Sequence, residues 1–239
     1  MPEKDSMQWI RKTSYNAPII PLKNQKMFDK TPTSEIKALF LDIGGVLISN
    51  GWQHQSRYKA IAKFGLKKQE VEARHKLVFV TYESGKITHD EYLDWVIFYE
   101  PRTFSKQDFT DFMFTQSVAI AGSIAFFKEI KQKHQLKVFA VSNEGRELNA
   151  YRIKHFKLDE LFDGYISSCY VHLHKPDTAM LKLASDISHT APKNALYIDD
   201  GKLLTEIANG MGFQTLHFQS LHKTKTLIKT FLFQQGADT

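Results

Sequence analysis

The sequence predicts an α/β fold, with a parallel sheet covered by helices on both faces and an all-helical segment inserted after the first strand. Two observations carry this prediction. Short apolar runs, typical of strands buried on both faces of a parallel sheet, alternate with helical patterns along the chain. About 70 residues without a convincing strand pattern separate the first run from the next helix and strand.

The strand prediction begins at Ile36, where a stretch containing four prolines gives way to the apolar run IKALFLDIGGVLI. Later runs of similar character are KVFAVSN (137–143), GYISS (164–168) and ALYIDD (195–200), with FQTLHF (213–218) as a further strand. Because helical patterns separate these runs, right-handed crossovers in one parallel sheet are expected. We assign residues 1–35 to an N-terminal extension.

Helical spacing of apolar residues predicts helices over 122–134, 146–156 and 178–187. The insertion contains the helical patterns SRYKAIAKFG and QEVEARHKLVF, followed by helices that open on the capping boxes Thr88-x-x-Glu91 and Ser105-x-x-Asp108. The predicted domains are therefore an α/β core of residues 36–50 and 121–239 and a four-helix insertion of residues 51–120. Its position after the first strand places it above the carboxyl edge of the sheet, where ligands of such sheets bind.

Composition narrows the class of protein. The 32 Lys and Arg residues exceed the 26 Asp and Glu residues, for a net charge of +6, but they are scattered, so nucleic acid is not an indicated partner. The single cysteine, Cys169, excludes an internal disulfide, and no apolar stretch reaches the roughly 20 residues of a membrane helix. The N-terminus lacks the apolar stretch of a secretory signal. We expect a soluble, cytoplasmic protein, and the sequence leaves its oligomeric state open.

Polar residues stand at the ends of four predicted strands. Asp42 ends the first strand, Ser142 and Asn143 end the second, Lys175 follows the third, and Asp199 and Asp200 end the fourth. Each alone is explained at least as well by an ordinary role: Ser142 as a helix cap, Lys175 as a solvated loop lysine, and the aspartates as turn or capping residues. Their recurrence at one edge of one sheet predicts a shared site, because unrelated caps need not recur at every strand end.

Four segments carry a resemblance to a known family. LFLDIGGVL, VFAVSN, HKPD and YIDDG resemble the four motifs of the haloacid dehalogenase superfamily, in family order, over about residues 36–220. DIGGVLISNGW and SNEGRELNAYRI are similar to its glucose-1-phosphatase-like branch. The resemblance implies a Rossmann-like core, and the insertion resembles the family's small helical cap.

The resemblance also implies roles for these residues. Asp42 is the expected nucleophile, forming an aspartyl-phosphate, and Ser142, Asn143 and Lys175 are expected to bind the phosphoryl group. Mg²⁺ is the expected cofactor, held by Asp42, Asp200 and the Gly44 carbonyl, with Asp199 supporting these ligands or replacing one. The expected activity is Mg²⁺-dependent hydrolysis of a small phosphorylated metabolite, without a membrane partner.

Two departures from the family pattern leave alternatives open. Gly44 stands where family phosphatases carry a second aspartate that protonates the leaving group, and Gly201 and Leu204 replace residues around the fourth motif. The first alternative is therefore a catalytically weak or inactive binding protein. The second is a 2-haloacid dehalogenase, which the acidic pair Asp199-Asp200 and the glycine at position 44 disfavour.

Other residues receive simpler interpretations. Cys169 is expected to be a small buried thiol, and His172 and His174 either touch substrate or lie in solvent. The dispersed histidines His54, His75 and His89 do not form a zinc-binding pattern. The aromatic residues expected to form the core of the insertion are Trp52, Tyr82, Trp95 and Phe98, and Trp52 and Arg57 are also candidates to border the entrance of the site.

Overall fold

The computed structural model describes residues 35–232, so nearly all of the proposed extension lies outside the described residues. Five strands alternate with helices. The strands are β1 (Ala38–Leu41), β2 (Lys137–Ser142), β3 (Gly164–Ser167), β4 (Ala195–Asp199) and β5 (Gln214–His217). The helices are α1 (His54–Phe64), α2 (Lys68–Glu83), α3 (His89–Val96), α4 (Lys106–Thr115), α5 (Ser123–His134), α6 (Arg146–His155), α7 (Ser168–Val171), α8 (Thr178–Ser188), α9 (Lys202–Gly210) and α10 (Leu221–Leu232). Across residues 35–232, every helix is too short or too polar to cross a membrane.

The five strands form one parallel sheet in the order β3-β2-β1-β4-β5, which confirms the predicted fold class. The central strand β1 is shorter than the apolar run that predicts it. After Leu41 the chain turns, with Gly45 at φ +73° and its N–H donating to the Ile48 carbonyl 2.7 Å away. The second half of the run, through Ile48, therefore packs as a buried turn rather than as strand.

Alternate residues of the strands pack on opposite faces of the sheet. Leu39 and Leu41 of β1 contribute to a core with helices that include Phe127 and Ile228. Phe40 points to the other face, in a core with Met180 and Tyr197. Because both faces are covered, β1 reads as a continuous apolar run in the sequence.

Helices α1 to α4 follow β1 and pack around a second core, rich in aromatic residues, to which Leu148 of α6 also contributes. Both predicted capping boxes are present, at the starts of α3 and α4. Trp52 and Tyr82 are buried in this core, as expected, and Phe98 packs against it. The expectation for Trp95 was wrong: it is 46% exposed, because α3 turns this position away from the packed side of the segment.

Candidate active site

The carboxyl ends of the strands bring the predicted polar residues together. Asp42 directly follows β1, Ser142 is the last residue of β2, and Asp199 is the last residue of β4. Lys175 lies in the loop between α7 and α8, which follows β3. Hydrogen bonds and ion pairs join all four side chains.

Asp42 is the centre of this cluster. Its Oδ1 accepts hydrogen bonds from Ser142 Oγ at 2.6 Å and from the Ile43 N–H at 2.8 Å, and its Oδ2 lies 3.0 Å from Lys175 Nζ. Burial raises the pKa of Asp42 to about 7; Lys175 lowers it, while Asp199 and Asp200 raise it. Because Asp42 is buried, its negative charge depends on the neighbouring groups of the site for stabilisation.

Lys175 bridges two carboxylates. Besides Asp42, its ammonium contacts Asp199 Oδ2 at 2.7 Å. Although burial opposes its charge, Asp42 and Asp199 keep the pKa of Lys175 well above its ordinary value. Tyr197 donates to the same oxygen of Asp199, and the Gly201 N–H donates to the other at 2.7 Å. Both oxygens of Asp199 are therefore occupied with protein donors, and this residue orients Lys175.

A second carboxylate approaches Asp42 from the start of α9. Oxygens of Asp42, Asp199 and Asp200 lie within 4.8 Å of one another, and Asn50 Nδ2 donates to Asp200 Oδ2 at 2.8 Å. The approach requires glycine at position 45, because a Cβ there would lie 2.1 Å from Asp200 Oδ2. Carboxylate oxygens at this separation fit the ligand preference of Mg²⁺. Asp199 is fully buried, whereas Asp42 is 8% exposed and Asp200 is half-buried, so Asp42 and Asp200 are the pair that a cation can reach.

Gly44 leaves room that another side chain fills. A Cβ at position 44 would lie 2.7 Å from Asn50 Oδ1, so the amide of Asn50 stands where a longer side chain on residue 44 would extend. In the described part of the chain the Gly44 carbonyl accepts no hydrogen bond, and Gly44 lines the cleft. The carbonyl oxygen of Gly44 is thus available to bind a cation, but the residue contributes no acid.

Sequence reasoning missed a buried ion pair beside Ser142. Glu144 Oε1 lies 3.3 Å from Ser142 Oγ and accepts from Arg152 Nη1 at 2.6 Å. Both side chains are at most 4% exposed. Burial raises the pKa of Glu144, and Arg152 lowers it. The only signal in the sequence is an acidic residue two positions after Ser142, which reads equally well as a solvated residue before a helix.

Asn143 and the two loop histidines hold the chain that carries Lys175. Asn143 Oδ1 accepts from the Lys175 N–H at 2.8 Å, and its amide donates to the Lys175 carbonyl at 3.1 Å. His174 pairs with Glu83 at 2.8 Å, and His172 donates to the Ser84 carbonyl. Both histidines therefore bind the end of α2. His174 is half-buried and His172 is exposed to solvent, and contact of either with substrate stays a prediction. A direct contact of Asn143 with substrate stays a prediction.

A cleft of about 660 Å³ opens between these strand ends and the helices α1 and α2. Asp42, Ser142 and Lys175 lie in its wall, as do Trp52 and Arg57, the two candidates for the border of its entrance. One face of α2 supplies a long part of the wall, through residues spaced three and four apart: Glu72, His75, Lys76, Phe79, Val80 and Glu83. Cys169 is buried, as expected, and burial raises its pKa to about 12.

An aspartate directly follows the central strand of this parallel sheet, and the neighbouring strand ends carry a serine, a lysine and an acidic pair. The class of protein that this fold and site define is a hydrolase of Rossmann-like fold. The chain belongs to the haloacid dehalogenase-like hydrolases, whose family model matches residues 36–202. This confirms the resemblance at the level of the superfamily. The narrower likeness to the glucose-1-phosphatase-like branch stays a prediction, and no curated protein matches the sequence.

Solved structures support the fold. An enzyme of the same family from Bacteroides thetaiotaomicron, BT-2542, shares 20% identity at a TM-score of 0.72, covering 82% of this chain and 99% of that one. BT-2542 has also been solved with magnesium, and with magnesium and inorganic phosphate. A HAD-like hydrolase from Porphyromonas gingivalis aligns at 0.65 with 18% identity, covering 82% and 99%. The defluorinating L-2-haloacid dehalogenase Rha0230 aligns at 0.57 with 17% identity, covering 77% and 82%.

Proposed function

We propose that this protein is a Mg²⁺-dependent phosphatase that hydrolyses a small phosphorylated metabolite through an aspartyl-phosphate on Asp42. The observation that carries the proposal is the setting of Asp42, whose two oxygens contact a hydroxyl and an ammonium beside a further carboxylate. Such a setting suits a nucleophile that must meet an anionic phosphoryl group. The magnesium and phosphate complexes of BT-2542 agree with this assignment.

Each residue of the cluster has a role in this reaction. Asp42 attacks phosphorus through one oxygen as the bond from phosphorus to the leaving oxygen breaks, and the leaving oxygen takes its proton from water because residue 44 supplies none. Water then hydrolyses the aspartyl-phosphate, which releases inorganic phosphate and restores the Asp42 carboxylate. Ser142 and Lys175 now bind Asp42, and in the complex they turn their donors to the phosphoryl oxygens, where charge develops. Asp199 keeps Lys175 oriented and protonated from behind.

The residues at this edge of the sheet fit a Mg²⁺ site. Asp42, Asp200 and the Gly44 carbonyl are the groups that would hold Mg²⁺, with Asn50 orienting Asp200. When bound, Mg²⁺ supplies positive charge that reduces repulsion between the nucleophile and the phosphate. The segment α1 to α4 acts as a cap over the cleft, and its α2 face meets the leaving group.

One observation favours a second candidate function. With no acid on Gly44, a poorly leaving alcohol would depart unprotonated, and losing such a group costs about 10²–10⁴ in rate. A protein that binds a phosphorylated metabolite without turning it over has the same cleft and the same metal site. A dehalogenase is disfavoured, because the acidic cluster around Asp42 has no use in displacing halide.

The test is hydrolysis of p-nitrophenyl phosphate with and without Mg²⁺. Its leaving group needs little protonation, so wild type should turn it over with Mg²⁺, and Asp42→Asn should reduce kcat by more than about 10³-fold. Asp186→Asn, the same change at an exposed position of α8, is the matched control. Near-wild-type activity in Asp42→Asn would refute the nucleophile. No turnover in wild type, together with Mg²⁺-dependent binding of inorganic phosphate, would favour the binding protein.

A further inference from the structure

A chain of buried hydrogen bonds runs through the cap to one wall of the cleft. Trp52 Nε1 donates to the Tyr92 hydroxyl at 2.8 Å, and that hydroxyl lies 2.8 Å from His75 Nδ1. Tyr92 is fully buried and His75 is 8% exposed. None of these three residues belongs to the catalytic cluster around Asp42.

The direction of this chain fixes the tautomer of His75. Indole nitrogen is only a donor, so the Tyr92 oxygen accepts from Trp52. The single phenol proton of Tyr92 then goes to His75 Nδ1, its only other hydrogen-bond partner among the described residues. His75 therefore carries its own proton on Nε2. Burial, followed by the nearby Arg57 guanidinium, lowers the pKa of His75 to about 3, so the ring is neutral.

The opposite nitrogen of the ring is left for a ligand. His75 Nε2 makes no hydrogen bond within residues 35–232, and this atom is not fully buried, so a ligand can reach it. The ring lines the cleft and packs against Phe79, with the ring centroids 4.2 Å apart and the planes tilted by 37°. Glu72, one turn earlier on the same face of α2, offers carboxylate oxygens that already pair with Arg57.

We infer that His75 is a specificity-determining residue, whose Nε2–H donates to a hydroxyl oxygen on the leaving group of the phosphorylated substrate. Tyr92 is the positioning residue that fixes the tautomer of His75. This rests on the proposed function. A hydroxyl suits the wall because it accepts from a neutral donor and has a proton of its own to donate, for which Glu72 is the adjacent acceptor. The ligand class is a hydroxylated organic phosphate.

The test compares two phosphates that differ in hydroxyl groups alone. Sorbitol 6-phosphate and n-hexyl phosphate have the same carbon chain, and their inhibition constants are measured against hydrolysis of p-nitrophenyl phosphate. Wild type should prefer sorbitol 6-phosphate. His75→Phe should lower that preference about tenfold by removing one buried donor, and His75→Gln, which keeps an N–H at a similar reach, should restore part of it.

The tautomer is measured separately by ¹⁵N NMR of the histidine ring. Wild type should show protonated Nε2 on His75, and Tyr92→Phe should shift the ring towards the Nδ1–H form and weaken sorbitol 6-phosphate selectively. Tyr58→Phe is the matched control, because the Tyr58 hydroxyl makes no hydrogen bond with the described residues. It should change neither the spectrum nor the preference.

The outcomes separate the inference from the function on which it rests. A wild-type enzyme with His75 protonated on Nδ1, or a folded His75→Phe variant with an unchanged preference, overturns the inference while the phosphatase stands. If the preference is unchanged but Lys76→Met weakens 6-phosphogluconate, the wall binds an anionic end group instead. Failure to hydrolyse p-nitrophenyl phosphate overturns the phosphatase, and calorimetric binding of the two phosphates then decides whether His75 discriminates between them.

Discussion

Placing a carboxyl at position 44 tests whether the missing acid limits the reaction. Gly44 has no left-handed φ, so its backbone accepts aspartate, but the new Cβ would lie 2.7 Å from Asn50 Oδ1. Asn50 would have to turn away and give up its 2.8 Å hydrogen bond to Asp200, at a cost of about 1 kcal/mol. Combining Gly44→Asp with Asn50→Ala removes the collision, and Asn50→Ala alone is the control.

The expected rates follow from the role of an acid. Wild type should hydrolyse p-nitrophenyl phosphate far faster than n-hexyl phosphate, because an unprotonated alkoxide leaves poorly. General acid catalysis contributes about 10²–10⁴ in rate. The double variant should therefore raise kcat/KM for n-hexyl phosphate by about 10²-fold and change that for p-nitrophenyl phosphate only a few-fold.

The assay is release of inorganic phosphate at saturating Mg²⁺, with folding checked by circular dichroism. If wild type hydrolyses both compounds equally fast, another group supplies the proton and the reasoning from Gly44 is wrong. Glu144, 3.3 Å from Ser142 Oγ, is then the next residue to substitute. An unchanged rate on n-hexyl phosphate in a folded double variant would show that a carboxyl at position 44 does not reach the leaving oxygen.

Three further predictions concern stability. In a thermal melt, Mg²⁺ at about 100 times its Kd should raise the Tm of wild type by roughly 5–10 °C, and Asp200→Asn should lose this shift. A shift retained in the variant would exclude Asp200 as a ligand. Without metal, the raised pKa of Asp42 makes its contribution to stability full below pH 3.8 and lost as pH rises through about 7. As pH rises over this range, the Tm of Asp42→Asn should therefore increase relative to that of wild type. A Tm difference between the two proteins that does not change with pH would contradict the raised pKa. Arg152→Met should cost about 3–5 kcal/mol in chemical denaturation by leaving Glu144 unpaired, and Arg152→Met with Glu144→Gln should recover much of it; equal losses would show that the buried charge is not the cause.

The sequence predicts the sheet and the polar cluster at its edge because both rest on local patterns. A strand buried on both faces must be apolar, so a polar residue at its end, such as Asp42 or Ser142, stands out. The capping boxes at Thr88 and Ser105 are equally local, since each helix start is fixed by a residue and its neighbour three positions later.

What the sequence does not predict depends on contacts between distant segments. In the sequence Glu144 and Arg152 look like ordinary charges in or near a helix, and only tertiary packing makes them a buried pair. The same holds for His75, whose tautomer depends on Tyr92, 17 positions away. The error at Trp95 has the opposite cause, because an aromatic residue in a short helix reads as core although this helix turns it outward.

The loop between α7 and α8 touches both sides of the cleft. Its Lys175 contacts Asp42 at the strand ends, while His172 and His174 bond to the end of α2, which forms the opposite wall. A ligand that pushes the end of α2 aside must break these bonds or draw Lys175 away from Asp42. An oversized ligand therefore meets two obstacles, since the movement that would admit it also separates the ammonium–carboxylate pair to which the proposed function assigns the reaction.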